Sequence, residues 1–229
     1  MIGWQPKPFI FVHIPKCAGT SLEAAFIPVA STHKTFKDFS EAERSQFWLP
    51  GKRGLQHCKL RRYERHFKLE DFFKFAFVRN PWDRAISQIE YLRAHTGNAL
   101  FTGGSLKENI RIYCNSKRNL WGHDLGANQL DYLKNIAGEV SVDFIGRFES
   151  LLADFKQVCE ALGVSPVPEL PHIFDAKRPK PYPAYYDDLS AGWVKDRFAK
   201  DIEFFGYTFG ELVTPVAQAA SRPRPWNPS

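Results

Sequence analysis

The chain has 229 residues, a formal net charge of +6 and a hydrophobic content of 44%, as expected for one larger globular domain. No apolar run approaches the ~20 residues of a membrane span, and residues 1–9 lack the pattern of a signal peptide. The positive charge favours anionic partners, but the basic residues are not interleaved with aromatics as in RNA-binding motifs. We therefore expect a cytoplasmic protein that does not bind nucleic acid.

The four cysteines are widely spaced, and none of them forms a C-x-x-C pair: Cys17, Cys58, Cys114 and Cys159. This spacing argues against a zinc site and against a disulfide framework. We expect reduced thiols, and the sequence contains no carboxylate cluster that demands a metal.

The first predicted strand is the apolar run at residues 9–14, which stops at Pro15. An almost continuous apolar run is typical of a strand that is covered on both faces, as in a parallel sheet. Residues 15–19 then form a tight loop. Residues 20–23 have the S/T-x-x-E form of a capping box, which predicts the start of a helix at Thr20.

Further along the chain, strands and helices alternate. A strand is predicted to end at His57, and other strands are predicted at residues 74–79 and 142–147. Asn80 and Pro81 have the residue types of an N-cap and a first helical position. Other helices are predicted near residues 106–114, 129–135, 149–162 and 187–204, and the proline-rich residues 164–186 are predicted to form a long loop.

This alternation predicts a single α/β domain at residues 1–213, with a mostly parallel central sheet flanked by helices and a P-loop-like nucleotide-binding core. Residues 214–229 have the composition of a disordered tail. Ligands of such sheets bind beyond the carboxyl ends of the strands. The loops at residues 15–20, 56–59 and 79–81 are therefore the candidate site.

The loop at residues 15–20 joins a predicted strand to a helix N-terminus, where backbone N–H groups and the helix dipole favour an anion. Lys16 adds a mobile positive charge, and Thr20 and Ser21 add hydroxyl donors. The Walker A pattern is absent, because the lysine here precedes the glycine. An ordinary strand-to-helix turn with a solvated Lys16 remains an alternative.

Residues 13–22, HIPKCAGTSL, resemble the 5′-phosphosulfate loop of sulfotransferases that use 3′-phosphoadenosine 5′-phosphosulfate (PAPS). They are most similar to the group that contains the carbohydrate 2-O-sulfotransferases and many bacterial members. Cys17 departs from the threonine that this family usually carries. The resemblance implies that Lys16 contacts the bridging oxygen, and that the 5′-phosphate is bound by Pro15, Lys16, Cys17, Ala18, Gly19, Thr20 and Ser21.

Residues 75–87, FAFVRNPWDRAIS, match a second family motif, in which a strand-end arginine and a serine eight residues later bind the 3′-phosphate. The resemblance gives these roles to Arg79 and Ser87. If Asn80 is the N-cap, Ser87 lies nearly two turns on and returns to the same face, together with Arg84. Two alternatives stay open: Arg79 solvated or paired with Asp83, and Ser87 as a plain surface serine.

Sulfuryl transfer needs a base for the acceptor hydroxyl, and histidine is the residue that most often does this work. The carbohydrate group carries a catalytic histidine between the two motifs, often directly after a glycine. His57 lies in that interval without the adjacent glycine, and the resemblance implies that it is the base. His33 is the reserve candidate, a structural role for His57 stays open, and His13 is expected to be a packed residue.

The C-terminal part resembles the end of the same family, where a basic loop closes over the nucleotide. The resemblance implies that Arg178 or Lys180 touches the 3′-phosphate, although a solvated basic loop is the alternative. Residues 142–149 resemble a family strand–helix junction, in which we expect Glu149 to pair with a basic group. In total the resemblance covers about residues 9–209.

The resemblance implies a sulfotransferase that moves a sulfuryl group from PAPS to a hydroxyl by in-line displacement and releases 3′-phosphoadenosine 5′-phosphate (PAP). Basic residues cluster around His57 and predict an acidic glycan as acceptor, although a solvated basic face is also compatible with them: Lys52, Arg53, Lys59, Arg61, Arg62, Arg65 and Lys68. A non-catalytic nucleotide- or glycan-binding module and a P-loop-type kinase are the competing functions.

Overall fold

The computed structural model describes residues 2–3, 7–27, 33–34, 57–65, 67–95, 101, 103–116, 126–173 and 178–211. The predicted tail at residues 214–229 lies outside these ranges, as do Lys52, Arg53 and the residues just before His57. Within the described ranges, none of the helices has the length and apolar character needed to cross a membrane.

The sheet formed by the described residues has five strands in the order β3-β1-β2-β4-β5. The β2–β4 and β4–β5 pairs are parallel, whereas the two-residue strand β1 is antiparallel to both β2 and β3. The predicted α/β fold with a mostly parallel sheet is therefore confirmed. The strands are β1 (Ile2–Gly3), β2 (Phe9–Val12), β3 (His33–Lys34), β4 (Phe73–Val78) and β5 (Phe144–Arg147).

Helices pack around this sheet, and the described residues include short 3-10 helices at residues 129–132, 148–150 and 182–185. The single helix predicted at residues 187–204 is interrupted at Phe198, whose backbone is not helical. The α-helices are α1 (Gly19–Phe26), α2 (Leu60–Tyr63), α3 (Pro81–His95), α4 (Leu106–Asn115), α5 (Leu151–Leu162), α6 (Asp188–Arg197) and α7 (Ala199–Phe205).

Phenylalanine rings fill the core around the parallel strands. The Phe75 ring is fully buried, and its centroid lies 5.9 Å from that of Phe9, 5.2 Å from Phe11 and 5.8 Å from Phe26. Each buried ring of this size contributes roughly 1.5–3 kcal/mol. This packing holds β2 and β4 side by side, so that the loops after the two strands open at the same edge of the sheet.

The start of α1 differs from the predicted capping box. The helix begins at Gly19, and its N-cap is Ala18 in the left-handed conformation (φ 61°), without a side-chain cap. Glu23 does not reach back to the helix start, because its Oε1 lies 3.3 Å from His13 Nδ1. The left-handed turn of the loop starts the helix before Thr20, so that Thr20 is a helical residue and not a cap.

The start of α3 follows the prediction. Asn80 precedes Pro81, and its Oδ1 accepts a hydrogen bond of 3.1 Å from the Trp82 backbone N–H. This is the N-cap bond that satisfies one of the unpaired donors of the first turn. The helix that carries the second motif is therefore anchored at the carboxyl end of β4.

Candidate functional site

The loop after β2 contains two left-handed residues that are not glycine, Lys16 (φ 66°) and Ala18 (φ 61°). Such residues are uncommon and persist only where the surroundings hold them. Turns of this kind bring successive N–H groups to one side and make an anion-binding concavity. Here the concavity lies at the N-terminus of the eight-residue helix α1, whose dipole also favours an anion.

Gly19 is required because the loop passes directly over the His13 ring. A Cβ at position 19 would lie 2.0 Å from two atoms of that ring, which is far closer than any real contact. His13 is 3% exposed and stacks on Phe11, with 5.6 Å between the ring centroids. The prediction of a packed His13 is confirmed, and its ring packs directly against the first residue of α1.

Lys16 projects its ammonium over the Tyr91 ring of α3, with Nζ 4.4 Å from the ring centroid. Burial and the nearby charge of Arg79 lower the pKa of Lys16 to about 8, although Glu90 acts in the opposite direction. The alternative of a solvated Lys16 is therefore wrong. A phosphate at this loop would restore the charged form, because an opposite charge nearby favours the ammonium.

Arg79 joins the two motifs. Its Nη1 donates to the Lys16 carbonyl at 3.1 Å, and its Nε donates to Asp83 Oδ2 at 2.7 Å. The guanidinium also stacks on the Phe148 ring, with Cζ 3.8 Å from the centroid. The ion pair with Asp83, one of the alternatives left open by the sequence, is therefore present. It forms together with the bond to the Lys16 carbonyl, so that the guanidinium stays against the loop and is not solvated.

Ser87 and Arg84 lie along the side of α3 that faces the loop. Ser87 is 7% exposed, so that the alternative of a plain surface serine is wrong, and its hydroxyl has no hydrogen-bond partner among the described residues. Arg84 is 2% exposed, and its Nε donates to the Pro15 carbonyl at 3.1 Å. The predicted common face of these two residues therefore points towards the phosphate loop.

His57 reaches the same edge of the sheet from a different part of the chain. It lies in a helical turn and not at a strand end, so that the predicted strand is wrong at this residue. Its Nδ1 is 3.1 Å from the His13 carbonyl oxygen, and its ring lies edge-on to the His13 ring at 4.5 Å. A carbonyl only accepts, so Nδ1 carries the proton and Nε2 is the basic nitrogen.

The reserve candidate His33 lies in the edge strand β3, which pairs with β1 and not with the strands that carry the loops. Its side chain lies outside the described part of the structure. The His33 backbone is therefore separated from β2 by β1, whereas His57 contacts His13 directly after β2.

Gln129 completes the site, and sequence analysis did not identify it. Its Oε1 accepts from the Arg79 backbone N–H at 2.8 Å, and its Nε2 donates to the Arg79 carbonyl at 2.8 Å. The Cys17 thiol donates to the same Oε1 at 3.3 Å. Burial raises the pKa of Cys17 to about 12, so that the thiol keeps its proton and acts as a donor where the family usually carries threonine.

Asp201 in turn positions Gln129. The two oxygens of its fully buried carboxyl accept from the backbone N–H groups of Gln129 at 2.7 Å and of Leu130 at 3.0 Å. No local motif marks either residue. Both residues lie among other polar and charged side chains, so the sequence around each of them does not reveal the partner.

The structure separates the two predicted basic residues of the C-terminal loop. Arg178 Nη1 lies 2.6 Å from Asp83 Oδ1, and its Nε lies 3.7 Å from Glu90 Oε2. Lys180 is exposed. Burial alone would raise the pKa of Asp83, but Arg79 and Arg178 outweigh it and lower that pKa, so that one carboxylate links both arginines.

Glu149, which was expected to pair with a basic group, forms no ion pair among the described residues, although the nearby charge of Arg79 favours the ionised form of Glu149 and acts to lower its pKa. Its Oε1 accepts from the Asn80 backbone N–H at 2.7 Å, and its Oε2 accepts from the Tyr207 hydroxyl at 3.3 Å. Burial raises the pKa of Glu149 above its ordinary value. The residue therefore supports the end of β4 through a backbone amide instead of neutralising a cation.

Several basic residues follow His57 in the sequence, at and after the start of α2. Arg61, Arg65 and Lys68 are exposed, and Lys59 projects over the Tyr132 ring with its Nζ 5.6 Å from the centroid. In the part of the chain that the structure describes, no group of three or more His, Cys, Asp or Glu side chains is arranged to hold a metal ion.

Comparison with known proteins adds one finding. A model of the sulfotransferase family matches residues 5–208 of the chain. The match includes both phosphate motifs, His57 and the C-terminal loop. Neither the curated proteins nor the solved structures contain a match to this chain.

Proposed function

We propose that this chain, which belongs to the sulfotransferase family, transfers a sulfuryl group from PAPS to a hydroxyl group of its acceptor and releases PAP. The observation that carries the proposal is the contact between the two phosphate motifs. Arg79 Nη1 donates to the Lys16 carbonyl although 63 residues separate the two positions. A nucleotide with phosphates at both its 5′ and 3′ positions requires two adjacent anion sites of this kind.

The 5′-phosphosulfate is assigned to the backbone N–H groups of residues 17–21, with Lys16 Nζ at the bridging oxygen. In the reaction the acceptor oxygen forms a bond to sulfur, and the bond from sulfur to the bridging oxygen breaks. The electron pair of that bond stays on the 5′-phosphate, where Lys16 offsets the added charge. By analogy with phosphoryl transfer, positioning and charge stabilisation supply most of the rate.

The proton of the acceptor hydroxyl goes to His57 Nε2. The His13 carbonyl holds the proton on the other ring nitrogen, so that Nε2 is the one that accepts. A ring held in one tautomer and one orientation is suited to general base catalysis, because the base has to lie within hydrogen-bond reach of the hydroxyl.

The 3′-phosphate is assigned to Arg79 and Ser87, with Arg178 closing the site. A guanidinium binds phosphate through two parallel hydrogen bonds and is favoured over an ammonium for this purpose. Ser87 lies eight residues after Arg79, and a serine hydroxyl can donate a hydrogen bond to a phosphate oxygen. These contacts would select PAPS over nucleotides that lack a 3′-phosphate.

The acceptor is proposed to be a carbohydrate that carries negative charge. Exposed Arg61, Arg65 and Lys68 follow His57 in the chain and carry the positive charge on which this proposal rests. Charged groups that line the approach to a site raise the local concentration of an oppositely charged substrate. Neutral and acidic glycans of equal length would distinguish this acceptor from an uncharged one.

Calorimetric titration with PAP and with ADP tests the nucleotide assignment. We expect PAP to bind at least about tenfold more tightly, because each charge-assisted hydrogen bond to the 3′-phosphate contributes roughly 1.5–3 kcal/mol. Equal affinities would contradict the sulfotransferase assignment and return the Lys16 loop to a general anion site. Tight PAP binding without transfer of labelled sulfate to any glycan would favour a binding module.

A further inference from the structure

We propose that Arg84 is a positioning residue for the phosphate loop: it holds a loop carbonyl on the side away from the bound anion. The inference rests on the proposed function, because the anion in question is the 5′-phosphosulfate. Arg84 is 2% exposed, and its guanidinium is bound to backbone carbonyls of two loops. Nε donates to Pro15 at 3.1 Å, and Nη1 donates to Ala127 at 3.2 Å.

An anion-binding loop has to point its N–H groups towards the ligand and its carbonyl oxygens away from it. A carbonyl carries a partial negative charge and would repel a phosphate. Pro15 makes this requirement acute, because a proline offers a carbonyl but no N–H group. The Pro15 carbonyl is the first of the loop, and Arg84 binds it from α3.

The next carbonyl of the loop is held in the same way. Arg79 Nη1 donates to the Lys16 carbonyl at 3.1 Å, so that two successive carbonyls are each bound by a guanidinium. Lys16 and Ala18 have positive φ angles, which residues with a side chain adopt only where their surroundings impose them. The two arginines provide that restraint from behind the loop.

Arg84 differs from Arg79 in one respect that decides its role. Arg79 follows the strand end directly and is assigned to the 3′-phosphate, whereas Arg84 is one turn further into α3 and lies over the buried Phe198 ring, with Cζ 5.9 Å from the centroid. Its guanidinium is buried between α3, the Pro15 loop and the Phe198 ring, and two of its three nitrogens are bonded to carbonyls. Arg84 is therefore expected to act on nucleotide binding through the loop and not by contact.

The test compares two nucleotides and two arginines. PAP carries both phosphates, whereas adenosine 3′-phosphate lacks the 5′-phosphate. Arg84→Lys keeps the positive charge but loses the planar fork. The matched control is Arg147→Lys, because Arg147 Nη2 also donates to a carbonyl, that of Phe205 at 2.6 Å, and also stacks on an aromatic ring.

We expect Arg84→Lys to weaken PAP binding at least about tenfold while the affinity for adenosine 3′-phosphate changes less than about twofold. Arg147→Lys should leave both affinities within about twofold. Equal losses for the two nucleotides, or no loss for either, would overturn the positioning role. If the unmodified protein bound PAP no more tightly than adenosine 3′-phosphate, that result would contradict the proposed function itself, independently of the role of Arg84.

A measurement on the unmodified protein covers the case in which Arg84→Lys does not fold. The Arg84 Nε–H group is expected to exchange slowly with solvent in the free protein, because it is buried and bonded to the Pro15 carbonyl. Its NMR resonance should also change little when PAP is added. Fast exchange in the free protein, or a large shift typical of direct phosphate contact, would overturn the proposal.

Discussion

At the scale of single residues, the site depends on side chains whose charge or tautomer is set by one or two neighbours. Burial and Arg79 together lower the pKa of Lys16, and the His13 carbonyl sets the tautomer of His57. Both effects concern a proton, so both can be tested by changing the pH or by removing the side chain.

The pH dependence of PAP binding tests the role of Lys16. Lys16 has a pKa of about 8 in the unliganded protein, and a bound anion raises this value. The affinity for PAP is therefore complete below pH 8 and falls by up to about tenfold for each pH unit above it, until the pKa of the complex is reached. Calorimetry between about pH 7 and pH 9.5 measures this. Lys16→Met should bind PAP more weakly at neutral pH and lack the dependence, and an affinity independent of pH in the unmodified protein would contradict the assignment.

Replacement of His57 tests the base. His57→Ala should lower the rate of sulfuryl transfer by about 10²–10⁴-fold while the affinity for PAP changes less than about twofold, because a general base acts on the acceptor and not on the nucleotide. Transfer of labelled sulfate and calorimetry measure the two quantities. His172→Ala, at an exposed histidine of the proline-rich loop, is the control. Full activity in His57→Ala would show that another group takes the proton.

At the scale of elements, two helices begin at the site, and each is positioned by the strand before it. α1 starts from the left-handed Ala18, and α3 starts from the Asn80 cap at the end of β4. Residues three and four apart share a face of a helix, so Arg84, Ser87 and Tyr91 form one line along α3 beside the loop.

A pair of glycine substitutions tests the contact beneath α1. Gly19→Ala should destabilise the protein by about 1–3 kcal/mol, because the added Cβ overlaps the His13 ring. Gly192 in α6 has no atom within 4 Å of its added Cβ, so Gly192→Ala should instead stabilise the protein by about 0.5–1 kcal/mol through helix propensity. Urea unfolding measures both changes. A stable Gly19→Ala variant with normal PAP affinity would contradict the tight packing.

At the scale of the whole molecule, residues from distant parts of the chain form hydrogen bonds with the two residues that follow β4. Asn80 Nδ2 donates to the Tyr182 hydroxyl and to the Thr208 carbonyl, both at 3.1 Å. The Gln129 amide bonds both the backbone N–H and the carbonyl of Arg79, and Asp201 accepts from the Gln129 backbone N–H. The C-terminal segment at residues 178–211 therefore stabilises the site as well as closing it.

Gln129→Met tests this support, because methionine has a similar size but forms no strong hydrogen bond. It leaves the N–H and carbonyl of Arg79 unpaired, and we expect a loss of about 2–5 kcal/mol in the free energy of unfolding, together with weaker PAP binding. Denaturant unfolding and calorimetry measure these effects. Gln157→Met on the exposed face of α5 is the control, since its amide bonds only to Asp154 at 3.2 Å. Equal stabilities of the two variants would show that Gln129 is dispensable.

The two basic residues of the C-terminal loop should behave differently. Arg178→Ala removes one of the two cationic partners of Asp83, so that its negative charge is compensated by Arg79 alone and PAP affinity falls about tenfold. Lys180→Ala should leave the affinity within about twofold, because Lys180 is exposed and solvent screens its charge. Calorimetry of both variants decides between them. A loss that is larger for Lys180→Ala would reverse the assignment.

The features that the sequence predicted correctly are those with local causes. The apolar runs at β2 and β4 indicated a parallel sheet, and the Asn80–Pro81 pair predicted the start of α3. Both depend on neighbours within a few residues, where propensity and capping act. The predicted capping box at Thr20 does not form, because the left-handed turn at Ala18 starts the helix at Gly19. Glu23 lies against His13 and not against the helix start.

The amino-acid sequence by itself determined the fold class, the two motifs that we propose bind phosphate, and the candidate site residues other than Gln129 and Asp201. Only the tertiary structure decided which residues meet: His57 with His13, Arg178 instead of Lys180 with Asp83, and Gln129 with Arg79. These pairs are separated by 44 to 95 positions in the chain. Hydrogen bonds and ion pairs act over a few ångströms in space, so a one-dimensional pattern carries no signal for them until the core has packed.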